Sequence, residues 1–254
     1  ATYVGFWDEI RKLFAATPEA RIRGYTASRF SFNTAEGRCP ECDGQGMRRI
    51  EMNFLPDVRV VCEACGGSRF APDTLLVKYR DQSIGDILQM AVEDAIPFFA
   101  AHPKILHPPE LLREAGLAYL TLRQPSPTLS GGEAQLIKLV TELAKARPGP
   151  EPAERSATDN PNHTLYVLDE PTIGLHMADV EKLIRVLHRL VDAGHSVYTV
   201  EHNLDMIAEA DWIVDIGPEG GTAGGRIVAQ GAPTQVSEKS EKSLTGAALA
   251  KILT

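Results

Sequence analysis

No stretch of this 254-residue sequence is apolar for long enough to cross a bilayer. The longest runs, Thr164 to Leu168 and Trp212 to Ile216, fall far short of the roughly 20 residues that a spanning helix needs. No charged-then-apolar leader opens the chain, so no membrane role and a cytoplasmic location are expected. An initiator methionine is also missing. Ala1 to Trp7 enter directly into an amphipathic pattern, as expected of a piece cut from a longer protein. Basic charge is in deficit, with 26 Lys and Arg against 34 Asp and Glu and a net charge of −8, which argues against coating nucleic acid through bulk electrostatics. The deficit is uneven. Residues 1–80 hold 12 Lys and Arg against 10 Asp and Glu, whereas the remainder holds 14 against 24, so any nucleic-acid surface is expected in the first third. Also absent are a solenoid-type repeat and a Gly-x4-Gly-Lys-Ser/Thr phosphate loop.

What is present suits a globular protein. At 43% hydrophobic and 24% charged residues the chain can bury a real core in one large or two modest domains. Phe6, Ile10, Leu13 and Phe14 recur at helical spacing until Thr17-Pro18. Leu75 to Tyr79 reads as a strand and Ile84 to Phe99 as helical. His102 to Pro109, with three prolines, reads as a connector before a helix that begins near Glu110. Beyond Gln124, a helix at Glu133–Ala146, a strand at Leu165–Leu168, a helix at Val180–Val191 and strands at Val197–Val200 and Trp212–Ile216 indicate an α/β sheet domain. The expected division is therefore 1–124 and 125–254. Residues 147–163, with four prolines and little that packs, predict a flexible loop.

All four cysteines lie in two knuckles, Cys39-Pro40-Glu41-Cys42 and Cys62-Glu63-Ala64-Cys65, with 19 residues between them. Two such pairs clamp a tetrahedral Zn(II), and the module spans about 37–70. Four thiolates leave no open coordination position, so the role is structural. Gly44, Gly46, Gly66 and Gly67 permit turns that aim N–H groups at sulfur. The alternative is two disulfides, which a reducing compartment disfavours. The hairpin between the knuckles carries Arg48, Arg49 and Arg59 around an apolar tip, Phe54-Leu55-Pro56. Contact with DNA and simple solvation both remain open for these residues.

Leu129-Ser130-Gly131-Gly132-Glu133-Ala134-Gln135 opens a helix with a hydroxyl and two glycines, a place where backbone N–H groups can meet phosphate, though a plain cap has the same form. Thirty-nine residues after Ser130, the apolar strand Leu165 to Leu168 ends in Asp169-Glu170. There Asp169 can hold Mg(II) and Glu170 can polarise a water. His202 follows a second strand, again at the end where α/β sheets keep their ligands.

In this order the motifs resemble those of ABC-class ATPases: signature at Leu129 to Gln135, Walker B at Leu165 to Glu170, D-loop at Gly174-Leu175-His176 and switch histidine at His202. The match narrows to the UvrA family, the damage-recognition ATPases of bacterial nucleotide excision repair. It rests on Asp169 to His176, Glu201 to Asp205, Asp215 to Gly221, Arg29 to Asn33 and the zinc module ahead of the signature. Two departures are that Leu136 stands where an Arg commonly follows the signature Gln, and that the Pro-rich loop before Walker B is long for the family.

The resemblance implies an ABC-type ATPase subdomain, a mixed sheet with flanking helices, plus a small α+β signature domain with an inserted zinc hairpin. It implies ATP and Mg(II) as cofactors, with Asp169 supporting the metal, Glu170 as general base and His202 on the γ-phosphate. Ser130, Gly131, Gly132 and Gln135 would complete the site of an opposing nucleotide-binding domain. DNA, the rest of the parent chain, a second copy of the parent and a UvrB-like protein are the implied partners. Because the chain lacks Walker A and the Q-loop, it is expected to lie downstream of the second Walker A and to be inactive alone. Two other classes share single features with it. A transport or resistance ABC ATPase shares the motifs but has no use for zinc. A zinc interaction module resembling J-domain co-chaperones shares Cys39-x2-Cys42-x-Gly44-x-Gly46 but leaves the ATPase motifs unexplained.

Overall fold

The computed structural model describes residues 2–51, 58–145, 163–218, 224–239 and 241–253. The hairpin tip Phe54-Leu55-Pro56 and all of the expected loop at 147–163 except His163 lie outside the described residues. The chain divides into two compact units, Ala1–Lys145 and Ala146–Thr254.

The first unit opens with α1 (Trp7–Ala15), whose Trp7, Ile10 and Phe14 are buried. Thr17 ends that helix and caps the next, α2 (Pro18–Ile22), by accepting from the Ala20 N–H, with Pro18 in the first turn where no N–H is needed. A hairpin of β1 (Met47–Ile50) and β2 (Val58–Val61) follows, then α3 (Pro72–Leu75) and the short ladder of β3 (Lys78–Tyr79) and β4 (Gln82–Ser83). The expected strand at 75–79 is thus mostly helix end and turn. Phe14, Phe30, Phe70 and Phe99 are fully buried. Phe14 lies 5.5 Å from Phe30 between ring centroids and 6.3 Å from Tyr79, so aromatic packing forms much of this core.

The predicted helix from Ile84 to Phe99 is two helices, α4 (Ile84–Gln89) and α5 (Val92–Phe98), because Met90 and Ala91 turn extended. α4 starts at a capping box in which the Ser83 hydroxyl accepts from the Asp86 N–H at 3.2 Å while Asp86 accepts from the Ser83 N–H at 2.9 Å. The expected connector at 102–109 is instead the first half of α6 (Pro103–Glu114). Pro103 sits in its first turn, and Pro108 and Pro109 are buried within it. Their packing among apolar neighbours offsets the two backbone hydrogen bonds that proline cannot donate. α7 (Gly131–Lys145) packs on α6. The composition change at 124 suggested that this helix goes with the later residues, but contacts group it with the first unit.

The second unit contains β5 (Leu165–Asp169), α8 (Met177–Asp192) and β6 (Ser196–Val200), a strand-helix-strand crossover in which β5 and β6 pair in parallel. α8 buries Val180, Leu183, Val186, Leu187 and Leu190 along one stripe. α9 (Leu204–Ala208) leads to the antiparallel pair β7 (Ile213–Gly217) and β8 (Arg226–Gly231), then to α10 (Pro233–Ser237) and α11 (Leu244–Leu249). Ala229, Val236 and Leu249 form a small core beside Ile207 and Ile213. The expected mixed sheet is, among the described residues, one parallel and one antiparallel pair. Parallel strands are usually covered on both faces, yet Leu165, Val167, Tyr198 and Val200 are exposed.

Candidate functional site

The four cysteines converge. Their sulfurs all lie within 4.8 Å of one another, every one buried and unbridged. Cys39 and Cys62 are 4.0 Å apart and Cys42 and Cys65 are 3.7 Å apart, well beyond the ~2.05 Å of a disulfide. A tetrahedral ion with bonds of about 2.3 Å needs sulfur separations of about 3.8 Å, so the donor set fits such a metal. Left-handed glycines make the knuckles possible. At Gly44, φ +76°, a Cβ would stand 2.0 Å from the Phe32 carbonyl oxygen, and Gly46, φ +73°, donates its N–H to the Cys42 sulfur at 3.2 Å. Burial pushes the Cys42 thiol up to about 12 and raises Cys39 as well. Burial also acts to raise Cys62, but the Cys65 and Ala64 N–H groups and the neighbouring thiols outweigh it and lower that thiol. A metal held here would have to displace the protons of these thiols, so its binding would release protons and depend on pH.

Above the knuckles, the ribbon places Arg49 directly opposite Arg59, a like-charge pairing that is unfavourable by itself. Arg48 ion-pairs with Glu41 at 3.8 Å. Both strands are exposed along their length.

In the same unit Ser130 begins α7 in a reciprocal cap. Its hydroxyl accepts from the Glu133 N–H at 3.2 Å, and the Glu133 carboxylate accepts from the Ser130 N–H at 2.7 Å and from the Tyr119 hydroxyl. Glu133 was legible as the fourth residue of a Ser-x-x-Glu box, a signal that the phosphate reading of the same residues overshadowed. A Cβ at Gly131 would meet open space. Gly132 is buried and Gln135 half-buried.

In the second unit the ends of β5 and β6 bring Asp169, Glu170 and His202 together. Asp169 lies opposite Val200 in the ladder, and the Glu170 N–H donates to the Val200 carbonyl at 2.8 Å. Glu170 is left-handed at φ +44°. Its carboxylate stands 3.8 Å from His202 Nδ1, with both side chains open to solvent. His176 caps α8, its Nδ1 accepting from the Ala178 N–H at 3.3 Å. Glu201 entered the sequence reading only as part of the Glu201 to Asp205 match and was given no role there. It accepts from the Thr172 N–H at 2.8 Å, the Thr172 hydroxyl at 2.5 Å, the His202 N–H at 2.8 Å and the Asn203 N–H at 3.0 Å. Partial burial acts to raise this carboxyl, but the four donors outweigh it and hold it below its ordinary value.

Known proteins match the chain over nearly its whole length. The chain is 55% identical over 252 residues to UvrABC system protein A of Thermus thermophilus, a match covering 99% of this chain and 25% of the relative. It is 51% identical over 253 residues to the protein of the same name from Aquifex aeolicus, covering all of this chain and 26% of that one. The chain belongs to the UvrA family. It spans about a quarter of the length of these UvrA relatives. Among solved structures, UvrA2 from Deinococcus radiodurans superposes with a TM-score of 0.82 at 49% identity, covering 99% of this chain and 29% of the other. No family model matches the chain. Among the described residues of this UvrA-family chain, no helix is long and apolar enough to cross a membrane.

Proposed function

We propose that this chain is part of a longer ATPase that recognises DNA damage in nucleotide excision repair, and that it supplies half of each of two nucleotide sites together with a zinc-stapled DNA-facing module. The observation that carries this reading is the meeting of Glu170 and His202, 3.8 Å apart, beside Asp169 at one end of a parallel strand pair. Asp169 would hold Mg(II), which supplies charge neutralisation to the phosphates. Glu170 takes the proton of the attacking water, and the His202 ring reaches the γ-phosphate. The Ser130 hydroxyl and the Gly131 and Gly132 N–H groups, with Gln135 one turn on, face the nucleotide of an opposing domain from the positive end of α7.

No phosphate loop is encoded here. The β and γ phosphates must therefore be held by other parts of the parent, and the exposed face of Leu165, Val167, Tyr198 and Val200 is where such a part packs. The cysteine cluster holds one Zn(II) as a structural staple. Arg48, Arg49 and Arg59 meet DNA phosphate. A second copy of the parent and a UvrB-like protein complete the assembly.

In the full-length protein, Glu170→Gln is expected to lower ATP turnover about 100-fold or more while nucleotide stays bound. The 254-residue chain alone is expected to turn over no ATP above background. Robust hydrolysis by the isolated chain that survives Glu170→Gln would overturn the assignment.

A further inference from the structure

Glu201 lies between two segments that chemistry needs in register. On one side is the turn after β5, where Glu170 occupies a left-handed conformation that a residue with a Cβ keeps only when its surroundings over-determine it. On the other is the start of the His202 segment, just past β6. Two ties reach the Glu170 turn from the end of β6. One is the Val200 carbonyl, which accepts the Glu170 N–H. The other is the Glu201 carboxylate, which accepts both the N–H and the hydroxyl of Thr172, two residues beyond Glu170. The second oxygen of the same carboxylate accepts the N–H groups of His202 and Asn203. Thr172 is itself buried, at 8% exposure, so its hydroxyl has little water to turn to. The Asn203 side chain caps α9 by accepting from the Met206 N–H at 3.2 Å, which extends the anchored backbone into a helix.

We infer that Glu201 is a positioning residue for ATP hydrolysis, a fourfold acceptor that clamps the turn carrying Glu170 to the backbone of His202 and so sets their separation. Glu201 touches no reacting atom. It acts through the two residues it anchors, and the charge matters because each bond runs from a neutral donor to an ionised acceptor, the stronger kind. Glutamine keeps the length and shape of the side chain, but its NH2 group offers hydrogens where His202 and Asn203, or Thr172, also present them. At least one bond from a backbone N–H is therefore lost in Glu201→Gln whichever way the amide turns, because only the Thr172 hydroxyl can change from donor to acceptor.

The inference rests on the ATPase reading, and the test separates the two. In the full-length protein, hydrogen exchange read by mass spectrometry is expected to quicken about tenfold in Glu201→Gln for peptides covering Thr172 or His202 and Asn203, with α8 unchanged, as the loss of charge-assisted bonds implies. The kcat for ATP is expected to fall about tenfold while KM changes less than threefold, because the nucleotide is held elsewhere and only the alignment of base and histidine is disturbed. Adding Glu201→Gln to Glu170→Gln is expected to cost much less than it costs in the wild type, since the alignment that the clamp sets has already lost its base. Unchanged exchange at both segments would remove the clamp. Quickened exchange with unchanged kcat, or a loss that adds fully to that of Glu170→Gln, would leave a structural bond and no positioning role. Turnover in the parent that ignores Glu170→Gln, or no turnover at all, would instead sink the ATPase reading together with the catalytic half of this inference.

Discussion

Two strand pairs in this molecule meet the same problem in different ways. The β1–β2 ribbon and the β5–β6 pair each consist of two strands, and each leaves apolar side chains such as Val60 and Val167 in contact with water. Two strands without a covered face are marginal at best. The ribbon is closed at its base by four thiols gathered within 4.8 Å, whereas the parallel pair is held by the buried stripe of α8 and, at the end beside Asp169, by one carboxylate with four donors. The first device gathers its ligands at one point, where the proposed zinc would impose order through a single centre. The second distributes it over a hydrophobic face and several hydrogen bonds.

The largest effect that would break this comparison is loss of the metal. Cys42→Ser is expected to take the zinc content of purified protein from one per chain to zero and to abolish ordering of the ribbon, since structural zinc contributes on the order of 10 kcal/mol in small metal-dependent folds. Calorimetry is expected to keep the transition of the second unit. A zinc content near zero in undamaged, reduced wild-type protein would show that the ribbon needs no such centre.

A smaller contrast sharpens the point. Leu183 in α8 is fully buried, whereas Val60 in β2 is 38% exposed. Leu183→Ala is expected to destabilise the second unit by about 2–5 kcal/mol through the cavity it leaves, and Val60→Ala to change stability by no more than about 0.5 kcal/mol. Urea titrations of both variants check this. Equal losses would mean that the ribbon relies on its own apolar face after all.

These differences track what the sequence made legible. The knuckles were readable because metal geometry demands ligands in close pairs, so Cys39 with Cys42 and Cys62 with Cys65 announce themselves locally. The meeting of Glu170 and His202 was readable because each follows an apolar strand and parallel strands present equivalent ends. Glu201 was not, since its partner Thr172 lies 29 residues earlier and becomes a neighbour only through the crossover. One carboxylate among 34 acidic residues carries no local mark of that. Pro108 and Pro109 misled for the opposite reason. Their local signal is strong, but burial of their rings in α6 outweighs it. β8, α10 and α11 went unread because their segments are short and lack a clear period.

The smallest expected effect concerns acid. The Glu201 carboxyl lies below its ordinary value of 4.5 in the folded protein, so its contribution to stability is fully present above the unfolded value and is lost as pH falls through the lower folded one. Thermal melts of wild type and Glu201→Gln are therefore expected to differ by a constant amount above about pH 5.5, and to converge at more acidic pH. A difference that grows on acidification would mean that the carboxyl binds its proton more readily in the fold than out of it.

The cap at the start of α7 has a consequence for recognition speed. With Ser130 and Glu133 already bonded to each other's backbone, the first helical turn is ordered in advance, so the phosphate proposed to dock there would not have to wait for the loop to find its shape. Because the Ser130 hydroxyl uses only a lone pair in the cap, its proton stays free to be donated outward. An encounter at this surface is therefore governed by approach and orientation, and its rate should follow solvent viscosity more than the folding of the loop.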